Sequence, residues 1–114
     1  MSWHWIAKHK DGRIFKQPKD RQAAFLADLD LEGIVIFSLR KGFKTFTVDL
    51  TEGAFYKGKR IIKEFNPKRK WSLLPCKRTL VHQDGSQESW SVISIKSGRT
   101  HIELVIDKKG KYHF

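Results

Sequence analysis

Turn dipeptides that end in glycine recur along this whole chain of 114 residues, and they limit what it can fold into. Glycine reaches the positive φ that tight hairpin turns need, and the stretches between these dipeptides are short and either apolar or alternating. This rhythm predicts a meander of antiparallel hairpins. The dipeptides are Asp11-Gly12, Lys41-Gly42, Glu52-Gly53, Lys57-Gly58, Asp84-Gly85, Ser97-Gly98 and Lys109-Gly110.

Nine strands are predicted between these turns, and one segment departs from the pattern. The strands cover residues 3–9, 13–17, 33–39, 43–50, 54–57, 60–65, 73–83, 86–96 and 99–108. The exception is "KDRQAAFLADLD", residues 19–30, where three alanines and two leucines favour a short α-helix that Asp20 could cap. We therefore predict a mainly β fold in a single domain, residues 1–114: an antiparallel meander that forms a small barrel or sandwich with one short α-helix.

Alternation along a strand predicts which side chains are buried, because successive residues point to opposite faces of a sheet. In the strand 43–50, Phe46, Val48 and Leu50 share the face that we expect to be buried. Trp3 and Trp5 share one face of the first strand, where a pair of tryptophans can form a stacking platform. We expect them instead to anchor this strand to the sheet, since large aromatic side chains are mostly buried. His9 is expected to face solvent or a loop.

Positive charge is in large excess. Twenty-three Lys and Arg against twelve Asp and Glu give a formal net charge of +11. Such a field attracts polyanions at a distance, and nucleic acid is the commonest partner of this kind. The same sign excludes an inhibitor that works by imitating DNA. Positive residues gather at 8–21, 40–44, 57–78 and 108–111.

One basic stretch, "NPKRKWSLLPCKR" at residues 66–78, places five cations around Trp71. In the functional interpretation the cations neutralise phosphates while Trp71 stacks on an unpaired base or a sugar. In the alternative, the charges keep a connection solvated and Trp71 packs into the core, as large aromatic side chains mostly do. The candidate nucleic-acid-binding residues are Lys57, Lys59, Arg60, Lys68, Arg69, Lys70, Trp71, Lys77 and Arg78.

These residues predict a non-enzymatic binding protein that engages nucleic acid or a nucleoprotein through a positively charged surface. A second hypothesis is an accessory protein that binds an acidic host protein, where charge sets the association rate and an aromatic patch supplies affinity. A third is a small nuclease that uses His101 with Glu103, or His82 with Asp84, as acid and base. Such pairs are common by chance on exposed strand faces, so binding is favoured over catalysis.

No cofactor and no metal site is predicted, because the histidines lack a zinc spacing and only one cysteine, Cys76, is present. Cys76 cannot form an internal disulfide, which fits a reducing compartment. There is no run of eighteen apolar residues and no secretory leader, so we expect no membrane partner and a cytoplasmic protein. The sequence carries no signal for the oligomeric state.

The first half of the chain carries a recognisable progression. An aromatic first strand leads into "DGRIFKQ", then "FSL", then "FTVDLTEGAFYKGKRI", with Gly53, Phe55 and Gly58 at or beside tight turns. Over residues 3–62 it resembles small proteins of uncharacterised function from phages and prophages. The resemblance implies a phage accessory protein in the cytoplasm of a bacterial host. It carries over no functional residues and does not extend to the C-terminal half.

Overall fold

The computed structural model describes residues 4–18, 33–107 and 109–114, and these residues form ten β-strands and no α-helix. They belong to two units, Met1–Lys70 and Trp71–Phe114, and each unit has its own antiparallel sheet. The predicted mainly β, antiparallel fold is confirmed. The helix predicted at residues 19–30 lies outside the described residues, and the single domain stays a prediction. In the part of the chain that is described, no helix is long and apolar enough to cross a membrane.

The first unit is a six-stranded sheet. Its strands are β1 (His4–His9), β2 (Ile14–Pro18), β3 (Ile34–Lys41), β4 (Lys44–Asp49), β5 (Ala54–Lys57) and β6 (Arg60–Glu64). They lie in the order β2-β1-β3-β4-β5-β6, so β2 and β6 are the edges. A closed barrel would need these two edge strands to pair with each other, and the described strands show no such pairing. The chain after β6 builds a separate sheet. The predicted closed barrel is therefore wrong for the described strands, and the sandwich stays a prediction.

The second unit is a four-stranded sheet. Its strands are β7 (Ser72–Val81), β8 (Gln87–Ser97), β9 (Thr100–Ile106) and β10 (Tyr112–His113), in the order β10-β9-β8-β7. The first nine strands of the chain are the nine predicted ones, and no end differs from its predicted position by more than two residues. β10 was missed because two residues are too few to show an alternating pattern.

One face of the six-stranded sheet forms the core of the first unit. Trp5, Phe37, Leu39, Phe46, Val48 and Phe55 are completely buried. They share this face because the strand register places Leu39 opposite both Trp5 and Phe46. The Trp5 and Phe37 rings lie 4.9 Å apart, and burying a side chain such as Phe contributes about 1.5–3 kcal/mol. The predicted anchoring by Trp5 and the predicted burial of Phe46 and Val48 are confirmed, whereas Leu50 is half-buried and Trp3 lies outside the described residues.

His9 is also buried, which corrects the prediction that it faces solvent or a loop. It has the same parity along β1 as Trp5 and Ala7, so its side chain starts on the core face. Gly33 makes room for the ring, because a carbon added at Gly33 would overlap the imidazole. The ring Nδ1 lies 3.4 Å from Asp11 Oδ1.

Candidate nucleic-acid interface

Two tight turns lie at the same end of the six-stranded sheet. Gly42-Phe43 joins β3 to β4 and Gly58-Lys59 joins β5 to β6, and both glycines have a φ of 60°. A type II′ hairpin turn has two central residues, and the first of them is typically a glycine with a positive φ. We call this end the basic end, and its cations are Arg40, Lys41, Lys44, Lys57, Lys59 and Arg60.

The described carboxylates of the first unit lie at the other end of the sheet, which we call the opposite end. They are Asp11, Asp49, Glu52 and Glu64. Asp11 belongs to the turn between β1 and β2, Glu52 belongs to the turn between β4 and β5, and Asp49 and Glu64 end their strands. The described carboxylates of this unit therefore lie at the opposite end together with cations such as Lys10 and Arg13, whereas the described charged residues of the basic end are all cations.

Four cations of the basic end share the core face of the sheet. Lys41 is paired with Lys44, and Lys57 is paired with Arg60. Lys57 also lies opposite the buried Phe46, two residues from Lys44. Paired residues and residues two apart point to the same face, so the four side chains form a positive rim where the apolar core ends.

This rim contains two like-charge pairs, each formed by residues directly opposite one another on neighbouring strands. Such pairs destabilise a sheet, because the β-carbons of residues directly opposite lie only about 4.5–5.5 Å apart. An anion held among the four cations would relieve that repulsion.

A groove of about 350 Å³ opens between the two turns. It is lined by Phe43, Lys44, Thr45, Lys57, Gly58 and Arg60. The backbone N–H of Gly58 donates to the carbonyl oxygen of Thr45 at 2.8 Å, which ties the second turn to β4. Ligand clefts span about 300–1,000 Å³, so this groove lies near the lower end of that range. Phe43 is fully exposed, at 101% of its reference area.

Within the first unit, the structure places the predicted site residues in two separate locations. Lys57, Lys59 and Arg60 lie at the basic end, and all three are exposed. Lys68, Arg69 and Lys70, also exposed, follow the opposite end of β6. At about 3.3 Å per residue, the length of β6 alone separates the two groups by about 13 Å. Trp71, Lys77 and Arg78 belong to the second unit.

The loop that carries residues 68–70 has a defined turn of its own. The Asn66 side-chain oxygen accepts the backbone N–H of Lys68 at 3.0 Å. The Phe65 N–H donates to the carbonyl oxygen of Gly53 at 2.9 Å, which fastens the start of the loop beside the turn between β4 and β5. Asparagine bound to its own backbone in this way stabilises a turn. This interaction accounts for the stretch locally without a ligand.

Trp71 is half-buried, so it is intermediate between the core residue and the open stacking platform weighed from the sequence. Lys77 and Arg78 lie on β7, and their side chains are outside the described part of the structure. Within the first unit, the predicted cations joined by the groove are Lys57 and Arg60.

Sequence reasoning missed Phe43 and Lys44, which line the groove beside Lys57. A signal was present. Lys41-Gly42 was read as a turn, and in a two-residue turn the residue after glycine lies at the tip. Pairing the hairpins outward from their turns would have brought Lys44 near Lys57.

The histidines of the nuclease hypothesis lie in the second unit. His101 Nε2 lies 3.0 Å from Ser94 Oγ and 3.5 Å from Glu103 Oε1. One nitrogen thus faces both groups, unlike a catalytic relay in which the carboxylate holds one ring nitrogen and the other nitrogen acts on the nucleophile. His82 contacts Glu88 Oε2 at 3.3 Å and shows no comparable arrangement with Asp84 among the described contacts.

Neither a metal cluster among the described residues nor a matching relative defines this site. Among the residues whose positions are described, no three His, Cys, Asp or Glu side chains lie close enough together to hold a metal ion. No protein-family model, curated protein or solved structure matches the chain. Its candidate site therefore rests on geometry and charge alone.

Proposed function

We propose that this protein is a non-enzymatic binding protein that engages nucleic acid, free or in a nucleoprotein, through the basic end of its six-stranded sheet. The observation that carries the proposal is the rim of four cations on one face, in which two like-charge pairs stand directly opposite each other. A polyanion can contact several of these cations at once, because successive phosphates present negative charge at regular spacing.

Geometry favours the basic end over the stretch at residues 68–70. The cations of the basic end meet across strands around a groove, whereas residues 68–70 follow one another on a single loop. Rigid strand ends hold charges at fixed separations, so less conformational entropy is lost when phosphates bind. We therefore assign the main phosphate contacts to Lys44, Lys57 and Arg60, with Lys59 and residues 68–70 as additional contacts.

A salt series tests the proposal. Binding of a fluorescent single-stranded oligonucleotide is followed by anisotropy for the wild type and for a Lys44→Gln, Lys57→Gln, Arg60→Gln variant. The three main phosphate contacts together contribute about −2 to the slope of log K against log salt on single strands. We expect the variant to lose most of this slope and at least about tenfold in affinity at low salt. A variant that keeps the wild-type slope would refute the assignment.

The acidic host protein is the alternative outcome of this experiment. Apolar anchors at a protein interface give a shallower salt dependence than phosphate contacts do. A wild type that binds no oligonucleotide near physiological salt would favour that alternative. Cleavage of the oligonucleotide that disappears in His101→Gln would favour the nuclease instead.

The proposed setting is the cytoplasm of a bacterial host. It rests on the resemblance of residues 3–62 to phage proteins and on the single cysteine, Cys76. In that setting a strongly positive protein of this size would meet DNA and RNA at high concentration, and its charge would speed the encounter.

A further inference from the structure

The aromatic ring at the mouth of the groove narrows the class of nucleic acid. Resting on the proposed function, we infer that the basic end is a single-strand site in which the Phe43 ring stacks on an unpaired base while the neighbouring cations hold the adjacent phosphates. The stacking role thereby moves from Trp71, the residue that the sequence indicated, to Phe43.

The position of Phe43 at the tip of a turn favours a stacking role. Phe43 occupies the second central position of a two-residue turn and is fully exposed, whereas the other large aromatic residues described in β1 to β5 are buried or half-buried. A ring at a turn tip makes no contribution to the core. It presents a flat apolar face to solvent, which is the surface that base stacking requires.

The neighbours of Phe43 supply positive charge beside its ring. Lys44, Lys57 and Arg60 line the same groove, so the ring and the cations border one space of about 350 Å³. Single-strand sites combine a positive path for the backbone with aromatic rings for the bases, and they tolerate any sequence because every base has a flat face. The centre of a protein interface is depleted of charged residues, whereas three of the six residues that line this groove are cations.

Duplex nucleic acid fits this arrangement poorly. In a duplex the base faces are hidden by stacking, so Phe43 could reach one only after a base pair had opened, which costs a few kcal/mol. The cations would still contact duplex phosphates. The site should therefore bind both forms electrostatically and prefer the form with accessible base faces.

The test uses three probes of equal length: a single-stranded oligodeoxynucleotide, the same strand in a duplex, and a strand whose central bases are replaced by abasic sites. The abasic strand keeps its phosphates and removes the stacking partner. The proteins are wild type, Phe43→Leu, which keeps apolar bulk without the ring, and Phe43→Trp, which keeps a ring. Unfolding midpoints confirm that each variant is folded.

We expect Phe43→Leu to lose about tenfold in affinity for the intact single strand and to bind the duplex and abasic strands like wild type. Phe43→Trp should retain or improve single-strand binding. Equal affinity of wild type and Phe43→Leu for the intact strand would overturn the inference, as would wild-type binding to the duplex as tight as to the single strand. Wild type that binds none of the probes would overturn the proposed function itself.

Discussion

The basic end and the opposite end of the six-stranded sheet are built from different turns. At the opposite end, longer turns are closed by acidic side chains: Asp49 Oδ1 accepts the N–H groups of Thr51 and Glu52, both at 3.0 Å. At the basic end, two-residue turns are built on glycine and backbone bonds, and Arg40 Nε donates to the carbonyl oxygen of Gly42 at 3.2 Å. A tight turn requires no carboxylate, so its flanking positions are available for cations. The type of turn thus accounts for where the described carboxylates lie.

The Asp11 carboxylate at the opposite end contacts a residue of its own turn. Its carboxylate accepts the backbone N–H of Arg13 at 3.0 Å and the Arg13 Nε at 2.6 Å. These contacts hold the first hairpin together. The comparison teaches that acidic side chains at the opposite end stabilise its longer turns, whereas the shorter turns of the basic end form without them.

The largest expected effect concerns glycines at the two ends. In Gly53→Ala, the new carbon would lie 2.5 Å from the Phe65 oxygen and 2.8 Å from Pro67 Cδ, at a φ of 77°. We expect a loss of about 3 kcal/mol in the free energy of unfolding, measured by urea titration. Gly58→Ala is the matched control, because its φ is also positive but no atom lies within 4 Å. It should cost about 1 kcal/mol, and equal losses would contradict the close packing at Gly53.

A smaller effect of opposite sign is expected at the basic end. Lys57→Glu turns one like-charge pair into an ion pair with Arg60, so the free energy of unfolding should rise by about 0.5 kcal/mol at low salt. The same variant should bind nucleic acid more weakly. Lys63→Glu makes an identical change in net charge opposite the uncharged Phe55 and serves as control. If Lys63→Glu is stabilised as much as Lys57→Glu, the repulsion within the pair is not the cause.

The smallest effect is a pH dependence at the opposite end. The backbone N–H of Arg13, with the Arg13 side chain, lowers the pKa of the Asp11 carboxyl from its usual 3.8. The folded state therefore favours the charged form, and Asp11 stabilises the fold above pH 3.8 but loses this contribution as pH falls towards the lower folded pKa. Urea titrations of wild type and Asp11→Asn across this range should converge in acid. A difference that widened in acid would contradict the assignment.

The sequence was informative about elements and faces. Turn glycines with positive φ bounded the hairpins, and alternation identified Phe46 and Val48 as buried. Both signals are local, because φ preference and parity act over a few residues. His9 shows the limit of judging burial by residue type. Its polar side chain suggested solvent, whereas its parity and the space left by Gly33 place it in the core.

The candidate site was less predictable, because it depends on which strands become neighbours. The high density of positive charge in the sequence drew attention to residues 66–78. The groove instead combines two hairpins whose cations Lys44 and Lys57 are thirteen residues apart. Nearness in sequence proved a poor guide, since β6 carries Arg60 and residues 68–70 to opposite ends. The open sheet was equally beyond a local pattern, since barrel closure depends on whether the two edge strands pair.

One measurement tests most directly which end binds nucleic acid. Backbone amide shifts of the protein labelled with nitrogen-15 are recorded as a single-stranded oligonucleotide is added. The account predicts that the largest changes cluster at residues 41–45 and 57–60, around the groove. Changes that cluster instead at residues 49–53 and 65–70 would contradict it and return the interface to the loop that the sequence first indicated.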